Sequence, residues 1–330
     1  MVKCIKVETK KINETKNKLI KESLLDRNYK FLKADNFVYI PVIKKFKNYK
    51  LFNKNLEKVN KKNLGLHELL EKVVNKKHLD HLRASLEIIG EVAILELGAA
   101  LMDKKEIIGD AVLRSNENLK SVLLKKGGRK GTFRIQEYEH LSGLYDYETT
   151  HIESGIKIKL DPTKTYFTSR LATERLRIAK QVKPNENILV MFSGVGIYPF
   201  VIAKYSKPKS ILAVEINPDA HYYAEESLKL NKFKNIELRC GDVREEHIHG
   251  SFDRVIMPLP ESSLDFLECG LKLVKKNGII HIYVFSNENK IDEVVKNIKS
   301  IVKCNVLDIV KAGQKAPKVY RYCLDLKILE

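Results

Sequence analysis

The spacing of hydrophobic and polar positions changes near residue 184 of this 330-residue chain. Beyond that point, short apolar runs alternate with segments whose apolar residues recur at helical spacing. Regular alternation of strands and helices indicates a doubly wound parallel sheet, and two closing β-rich runs indicate an antiparallel addition at its edge. The predicted strands are 187–191, 210–215, 236–240, 253–257, 278–284, 305–310 and 319–329, and the predicted helices lie near 199–205, 219–231, 262–273 and 290–303.

The first half of the chain has a less regular pattern. A strand at 4–7, a helix at 14–25 and a β-rich run at 37–42 predict a small α/β unit. The segment 44–63 is rich in lysine and asparagine and has no clean period, which suggests a linker or a weak surface element. Mixed helices and strands follow, with a glycine-rich loop at 127–131. The fold class is therefore α/β, with three predicted domains: 1–62 and 63–160, both small and of α/β or α+β type, and the doubly wound domain 161–330.

Positive charge is concentrated at the amino-terminal end. The 60 Lys and Arg exceed the 42 Asp and Glu by 18, and residues 1–62 carry 18 basic but only 6 acidic residues. Such an excess of positive charge attracts polyanions, above all nucleic acid. The alternative is that the source organism's proteins are rich in lysine in general, which would produce the same excess. The basic run 125–130 (KKGGRK) is predicted to be a flexible loop able to follow a phosphate backbone, or else a solvated turn. We expect domain 1–62 to bind RNA.

Other features of the sequence bear on the cellular compartment and on whether the protein uses a membrane or a metal. No apolar run reaches the length of a membrane span, and no apolar segment follows the amino-terminal lysines as in a signal peptide. Five scattered cysteines form no CxxC pair, which favours reduced thiols in a cytoplasm. His247 and His249 lack further ligands at metal-site spacing. We expect a monomeric cytoplasmic protein that uses neither a metal nor a membrane.

The most informative stretch is a glycine-containing turn. The apolar run 187–191 leads into Phe192-Ser193-Gly194-Val195-Gly196 and then into a predicted helix. Glycines there let a ligand approach the backbone, and the helix start offers free N–H groups. A P-loop would require a lysine after the glycines, and a dinucleotide fold would prefer a third glycine where this chain has Pro199. S-adenosylmethionine carries no pyrophosphate and needs neither feature.

Two acidic residues at strand ends support S-adenosylmethionine as the cofactor. Glu215 follows Gly196 by 19 residues and ends the second strand, where a carboxylate can accept both ribose hydroxyls. Asp242 ends the third strand and is placed to hold the adenine amino group. The fourth strand ends in Met257-Pro258-Leu259-Pro260, a rigid turn without two N–H donors, whose carbonyls are candidates for contact with a base or the methyl donor. A tight turn beside a solvated Glu, and a simple strand stop, are the alternatives.

Several ordered blocks of the sequence match one family. They are 133–143 (FRIQEYEHLSG), 164–171 (KTYFTSRL), 173–175 (TER), 191–196 (MFSGVG), 214–218 (VEINP) and 241–244 (GDVR). Through these blocks the chain resembles the archaeal and eukaryotic tRNA guanine-37 N1-methyltransferases over nearly its whole length. The resemblance implies a class I, Rossmann-like catalytic domain that uses S-adenosylmethionine, preceded by two smaller domains, with tRNA as the partner.

The resemblance also implies roles for individual residues. Glu174 would be the general base on guanine N1, Arg134 would hold the base or balance charge at O6, and Tyr166 would lie beside the methyl donor. The reaction needs such groups, because N1 is protonated at neutral pH and charge develops at O6. The predicted catalytic residues are thus Glu174, Arg134 and Pro258, and the predicted cofactor-binding residues are Tyr166, Arg170, Phe192, Gly194, Gly196, Glu215, Ile216, Asp242, Val243 and Pro258.

Two departures from the family pattern concern the substrate. Val190 stands where many members have an acidic residue, and Pro258-Leu259-Pro260-Glu261 replaces Asn-Leu-Pro-Lys, which removes an amide able to hold the guanine edge. Some archaeal subgroups share these changes, and certain of their members also methylate the tricyclic wyosine precursor at position 37. Two alternatives stay open beside methylation of guanosine 37: aminocarboxypropyl transfer in the wyosine pathway and, from another class, RNA binding without catalysis.

Overall fold

The computed structural model describes residues 1–22, 24–26, 28–47, 49–58, 66–71, 74–245, 248 and 251–329. Residues 59–63 of the predicted linker, and His247 and His249, lie outside this described part. The chain divides into two compact units, Met1–Gly128 with Glu137–Tyr147, and Arg129–Gln136 with Glu148–Glu330. All five cysteines are free thiols. In the described residues, no helix has both the length and the apolar character needed to cross a membrane.

The first unit begins with a four-stranded sheet. Its elements are β1 (Val2–Glu8), α1 (Ile12–Lys21), β2 (Leu32–Ala34), β3 (Phe37–Pro41) and β4 (Leu51–Lys54). The sheet order is β2-β3-β1-β4, and β1 pairs antiparallel with both of its neighbours. Ile5, Ile40 and Leu19 meet in a fully buried core. Of the two alternatives for 44–63, a linker is wrong at β4, since Leu51 and Phe52 are strand residues paired with β1.

A second sheet follows, and it lies in the same unit except at residues 129–130 of β7 and 135–136 of β8. The elements are α2 (Leu66–Leu70), α3 (Lys76–Ser85), β5 (Glu87–Ile89), β6 (Val92–Leu95), α4 (Lys105–Ser115), β7 (Ser121–Lys130) and β8 (Ile135–Gly143), in the sheet order β5-β6-β7-β8. The glycine loop predicted at 127–131 is wrong, because β7 continues through Gly127 and Gly128 to Lys130. Pairing with β8 holds the glycines in the strand, and the turn is confined to residues 131–134.

The second unit contains the larger sheet. Its helices are α5 (Ala172–Gln181), α6 (Ile197–Tyr205), α7 (Pro218–Asn231), α8 (Leu267–Leu273) and α9 (Ile291–Ile301). Its strands are β9 (Thr149–Glu153), β10 (Ile156–Leu160), β11 (Asn187–Met191), β12 (Ser210–Glu215), β13 (Ile236–Cys240), β14 (Phe252–Met257), β15 (Val274–Asn287), β16 (Cys304–Ala316) and β17 (Val319–Ile328). One-turn and two-turn 3₁₀ helices occur in both units, at Thr9–Lys11, Ala99–Lys104, Ser169–Leu171, Ser263–Phe266 and Glu288–Lys290.

The strand order of this sheet places the ligand site. The order is β13-β12-β11-β14-β15-β17-β16, with β11 to β15 parallel and β17 antiparallel to both of its neighbours. The doubly wound sheet and its antiparallel edge are therefore confirmed. The direction of winding reverses between β11 and β14, and ligands of such sheets bind at the carboxyl ends of the strands beside that reversal. Buried Leu189, Val255 and Ile280 fill the sheet interior around it.

The hairpin of β9 and β10 belongs to the second unit. The N–H of Lys159 donates to Oγ of Ser227 at 2.9 Å, and the N–H of Lys157 donates to Oδ1 of Asn231 at 3.0 Å, so that β10 is bonded to α7. The hairpin therefore belongs to the compact unit that contains residues 148–330. The division into three domains, with boundaries at 62 and 160, stays a prediction.

Candidate active site

The turn between β11 and α6 has the strand–turn–helix geometry that the sequence predicts. Gly194 and Gly196 have φ angles of +56° and +83°, in the left-handed region that favours glycine. A Cβ atom at Gly196 would lie 2.7 Å from two ring carbons of Phe200, so that position has no room for a side chain. Gly196 immediately precedes α6. The turn therefore leads straight from the sheet into a helix start with unpaired N–H groups.

Glu215, at the end of β12, is held against this turn. Its Oε2 accepts a hydrogen bond from the N–H of Gly194 at 2.7 Å, and its Oε1 accepts one from the N–H of Asn217 at 2.9 Å. Burial raises the pKa of the Glu215 carboxyl above its ordinary value, against the opposing effect of these backbone donors. Each oxygen keeps a lone pair for a further donor, such as a ribose hydroxyl.

A cavity, called here the first cavity, opens beside this turn. Seven predicted site residues line it: Arg134, Tyr166, Phe192, Gly194, Glu215, Ile216 and Pro258. Its other lining residues are Arg129, Thr132, Phe133, Asn217, Ala220, Leu259, Pro260, Glu261, Phe285 and Arg321. A second cavity shares Tyr166, Phe192, Gly194, Pro258 and Arg321 with the first, and Tyr198 and Tyr283 are among its other lining residues. Tertiary folding thus brings together residues from well-separated parts of the sequence.

Five predicted site residues are absent from the described walls of both cavities: Arg170, Glu174, Gly196, Asp242 and Val243. Val243 is buried in the apolar core of the large sheet. The carboxylate of Asp242 accepts hydrogen bonds from Arg244, with Nε at 3.0 Å, and this pairing lowers the pKa of Asp242. Contact of Asp242, Val243 and Arg170 with the cofactor stays a prediction.

Arg134 reaches the first cavity from the turn between β7 and β8. Its φ angle of +54° is uncommon for a residue with a side chain. Nη1 of Arg134 donates a hydrogen bond to Oε2 of Glu261, and Nζ of Lys315 donates one to Oε1 of the same carboxylate at 2.9 Å. Glu261 was not among the predicted site residues, although its departure from the family pattern was a signal available in the sequence.

Tyr166 contacts two arginines that were not predicted as site residues. The Arg129 guanidinium lies 4.2 Å from the centre of the Tyr166 ring, and Nη2 of Arg321 donates to the phenol oxygen at 3.3 Å. Nε of Arg321 is buried and has no hydrogen-bond partner among the described residues. A buried donor without an acceptor is costly, so a ligand that carries an anionic oxygen would be stabilised at this position.

Glu174 lies in the first turn of α5 and is buried, with 6% of its surface exposed. Its carboxylate oxygens accept hydrogen bonds from Nη2 and Nε of Arg177, both at 2.8 Å. The hydroxyl of Tyr283 donates to Oε1 of Glu174 at 2.7 Å. Tyr283 is among the residues that line the second cavity, so the predicted general base is hydrogen-bonded to a residue of that cavity's wall.

Behind Glu174 lies a buried network of charges that the sequence pattern does not reveal. Nη1 of Arg177 lies 2.6 Å from Oδ2 of Asp325, Nδ1 of His281 lies 2.6 Å from Oδ1 of Asp325, and Nε2 of His281 lies 2.5 Å from Nη1 of Arg254. Since arginine only donates, His281 accepts at Nε2 and carries its proton on Nδ1. Burial lowers the pKa of His281. Burial alone would raise the pKa of Asp325, but hydrogen bonds from His281 and Arg177 hold it far below its ordinary value.

Known proteins share this architecture. Residues 149–310 match the TRM5/TYW2 methyltransferase domain, residues 66–146 the TYW2 N-terminal domain, and residues 4–50 the tRNA methyltransferase 5 N-terminal domain. The tRNA (guanine(37)-N(1))-methyltransferase Trm5b of Pyrococcus abyssi is 34% identical over 99% of this chain and 99% of its own length. This chain belongs to the Trm5 family. The family resemblance, the enzyme class and the use of S-adenosylmethionine predicted from the sequence are thereby confirmed.

Two further Trm5-related proteins bear on function. The solved complex of aTrm5 with tRNALeu has a TM-score of 0.73 at 31% identity and covers 98% of this chain and 99% of that chain. The tRNA(Phe) (4-demethylwyosine(37)-C(7)) aminocarboxypropyltransferase of Methanocaldococcus jannaschii is 30% identical over 70% of this chain and 96% of its own length. The class I, Rossmann-like fold with smaller amino-terminal parts is shared with the Trm5 structure.

Proposed function

We propose that this Trm5-family chain transfers a methyl group from S-adenosylmethionine to N1 of guanosine 37 in tRNA. The supporting observation is the extent of the match, because Trm5b of Pyrococcus abyssi aligns over 99% of both chains. Residues 4–50 match the tRNA methyltransferase 5 N-terminal domain. The aminocarboxypropyltransferase relative covers only 70% of this chain. Transfer of a methyl group is therefore favoured over transfer of the larger group.

The residues of the first cavity fit S-adenosylmethionine. Glu215 offers two fixed carboxylate oxygens to the ribose hydroxyls, and at Gly194 the atom nearest to an added Cβ is the Tyr166 carbonyl oxygen, 3.7 Å away. The unpaired Nε of Arg321 suits the carboxylate of the cofactor. Phe192 adds an apolar ring to the same wall. When bound, S-adenosylmethionine supplies an electrophilic methyl group on its sulfonium, so positioning of the acceptor provides much of the remaining catalysis.

The guanine-binding residues stabilise the negative charge that develops at O6 and remove the proton from N1. Arg134 lines the first cavity and donates to O6, where negative charge develops as N1 loses its proton. Glu174 is the final acceptor of that proton. Tyr283 lines the second cavity, which shares five wall residues with the first, and its hydroxyl receives the N1 proton while it passes its own proton to Glu174. Burial raises the pKa of Tyr283 well above its ordinary value, so the hydroxyl remains protonated between turnovers.

Nucleoside mass spectrometry tests the reaction directly. The full chain is incubated with S-adenosylmethionine and tRNA transcripts that carry either guanosine or adenosine at position 37, and the digested nucleosides are then analysed. We expect 1-methylguanosine from the first transcript and no methylated nucleoside from the second. Failure on every transcript with guanosine 37 would overturn the proposal.

The same experiment separates the alternative activities. A nucleoside that carries an aminocarboxypropyl group would assign the chain to the wyosine-pathway transferases. Methylation of tRNA that contains the tricyclic wyosine precursor, in addition to guanosine 37, would extend the substrate range. Absence of S-adenosylmethionine binding by calorimetry would favour an RNA-binding protein without catalysis.

We also propose that the protein acts as a monomer in the cytoplasm and that residues 1–62 contact tRNA. Five free cysteines support a reducing compartment. Excess basic charge in residues 1–62 supports contact with a polyanion. Light scattering coupled to size-exclusion chromatography tests the monomer, with a mass of 38.0 kDa expected from the sequence.

A further inference from the structure

The turn that follows β14 forms a fixed wall of the first cavity. The single hydroxyl hydrogen of Ser263 is shared between the carbonyls of Met257 and Leu259, which lie 3.0 Å and 2.8 Å from its Oγ, and the N–H of Phe285 donates to the carbonyl of Pro260 at 3.2 Å. These three carbonyls are thus engaged within the protein, which weakens the hypothesis that they bind the base, and the carbonyl of Pro258 is not among them. The prolines at 258 and 260 have no N–H to offer. Among the residues of this turn that line the first cavity, Glu261 supplies the charged side chain.

Glu261 carries a partly exposed carboxylate in the cavity wall. Its two oxygens accept hydrogen bonds from Arg134 and from Lys315, and these cations hold its pKa below the ordinary value although burial acts to raise it. Among the described residues of the first cavity, the carboxylates are Glu215 and Glu261. Glu215 is fixed by the glycine turn, so Glu261 is the anionic acceptor that is left for the substrate.

The edge of guanine is complementary to the Arg134–Glu261 pair. Guanine presents an acceptor at O6 and donors at N1–H and at the 2-amino group. Arginine provides donors only, and an ionised carboxylate provides acceptors only. A guanine that enters the first cavity can replace the ion pair with one hydrogen bond to each partner, while Lys315 continues to neutralise the carboxylate. Adenine, with an amino group in place of O6, does not match this order of donor and acceptor.

We infer that Glu261 is a specificity-determining residue that accepts a hydrogen bond from the 2-amino group of guanine 37. This inference rests on the proposed function. A carboxylate at position 261 thus replaces, as a partner for the guanine edge, the amide that the family pattern has at position 258. It also disfavours a tricyclic guanine derivative whose third ring is built on N1 and the 2-amino nitrogen, because that base has lost the donors that Glu261 pairs with.

The test compares guanosine and inosine at position 37 of the same tRNA. Inosine keeps O6 and N1–H but lacks the 2-amino group. We expect the wild-type chain to prefer guanosine by about 10-fold or more in kcat/KM, since inosine cannot donate the hydrogen bond to a charged acceptor that the 2-amino group of guanosine donates. Glu261→Ala should reduce kcat/KM on guanosine and bring the guanosine-to-inosine ratio close to one. Glu261→Gln, which keeps a carbonyl acceptor, should retain much of the preference.

Glu288 provides a matched control for the Glu261 variants. Glu288 also pairs with a lysine, Lys311, at 2.7 Å, and it lies outside the described walls of both cavities. Glu288→Ala should therefore keep the wild-type ratio. If wild type methylates both transcripts equally, or if Glu261→Ala keeps the wild-type ratio, the role of Glu261 is overturned while the proposed function stands. If wild type modifies neither transcript, the proposed function itself fails. Calorimetric binding of S-adenosylmethionine verifies that each variant is folded.

Discussion

The hydroxyl of Tyr283 donates a hydrogen bond of 2.7 Å to Oε1 of Glu174, across 109 positions of the sequence. Tyr283 lies on β15, between β14 and β17 in the large sheet, whereas Glu174 lies in the first turn of α5. Arg177 holds both oxygens of the same carboxylate from the next turn of the helix. The predicted general base is therefore fixed in place by its surroundings and is hydrogen-bonded to a residue of the second cavity's wall.

Replacement of Glu174 by Gln should abolish most turnover and leave cofactor affinity almost unchanged. Glutamine keeps the size of the side chain but cannot take the N1 proton, and general-base catalysis contributes about 10²- to 10⁴-fold. Single-turnover methylation of a guanosine-37 transcript and calorimetry with S-adenosylmethionine measure the two effects. Glu293→Gln on the exposed surface of α9 is the matched control. Unchanged turnover in Glu174→Gln would exclude Glu174 as the base.

Replacement of Tyr283 by Phe tests the proton path. Phenylalanine fills the same space, so a purely structural ring would leave kcat almost intact. If the hydroxyl carries the proton to Glu174, kcat should fall by about 100-fold or more while KM for tRNA stays within about twofold. The pH profile of kcat should also change, because the group that exchanges the proton with guanine is missing. A variant with wild-type kcat would show that Glu174 meets the substrate without Tyr283.

Binding of S-adenosylmethionine should weaken on acidification through Glu215. Only the ionised carboxylate accepts from both ribose hydroxyls, and burial raises the pKa of Glu215 above the ordinary value of about 4.3. Protonation therefore begins at a higher pH than for an exposed glutamate, and the calorimetric Kd should rise as pH falls from 8 toward 5. Glu215→Gln should bind about 10-fold more weakly at pH 8 and lose this pH dependence. Glu237→Gln on neighbouring β13, where Glu237 is exposed, should behave as wild type.

The stability of the second unit should fall as pH falls, first through His281 and then through Asp325. Both groups have pKa values below their ordinary ones in the folded chain. The unfolded chain therefore binds a proton that the folded chain does not, below about pH 6.5 for His281 and below about pH 3.9 for Asp325. The slope reaches at most about 1.4 kcal/mol per pH unit for each group.

Thermal unfolding between pH 7.5 and 5.5 isolates the contribution of His281. In His281→Gln the amide can still donate to Asp325, but the titrating group is absent, so the midpoint should depend less on pH than in wild type. His221→Gln, at a partly exposed position on α7, should keep the wild-type dependence. Equal slopes in wild type and His281→Gln would contradict the prediction.

Affinity for tRNA should decrease steeply with salt. Each phosphate contact adds about 0.7 to 0.9 to the slope of log affinity against log salt, so six or more contacts lower affinity by about 10³-fold between 50 and 200 mM salt. Lys44→Gln combined with Lys45→Gln, both exposed in the basic amino-terminal segment, should reduce that slope. The exposed pair Lys296 and Lys299 on α9, changed in the same way, is the control. If affinity for tRNA does not change with salt, the lysines reflect a generally lysine-rich composition and not tRNA binding.

Local patterns predicted much of the fold. The alternation beyond residue 184 indicated the parallel strands because β11, β12 and β14 are largely apolar and mostly buried, whereas the edge strand β13 is only partly buried. The turn around Gly194 and Gly196 was predictable because glycine is favoured at left-handed φ angles, and because a glycine turn between an apolar strand and a helix is typical of ligand-binding α/β folds. Where the local pattern was weak, as at β4 and at Gly127 in β7, the prediction failed, since strand pairing decided the structure there.

By itself, the sequence determined the family, the α/β fold, the cofactor class and the acidic residue Glu215, because these depend on residue types at short spacing. The tertiary structure alone decided which polar groups meet. It formed the hydrogen bond between Tyr283, which lines the second cavity, and Glu174. It also paired Glu261 with Arg134 and Lys315, and Arg177 with Asp325. Ion pairs and hydrogen bonds act over a few ångströms in space, and their partners here lie 54 to 148 positions apart in the chain.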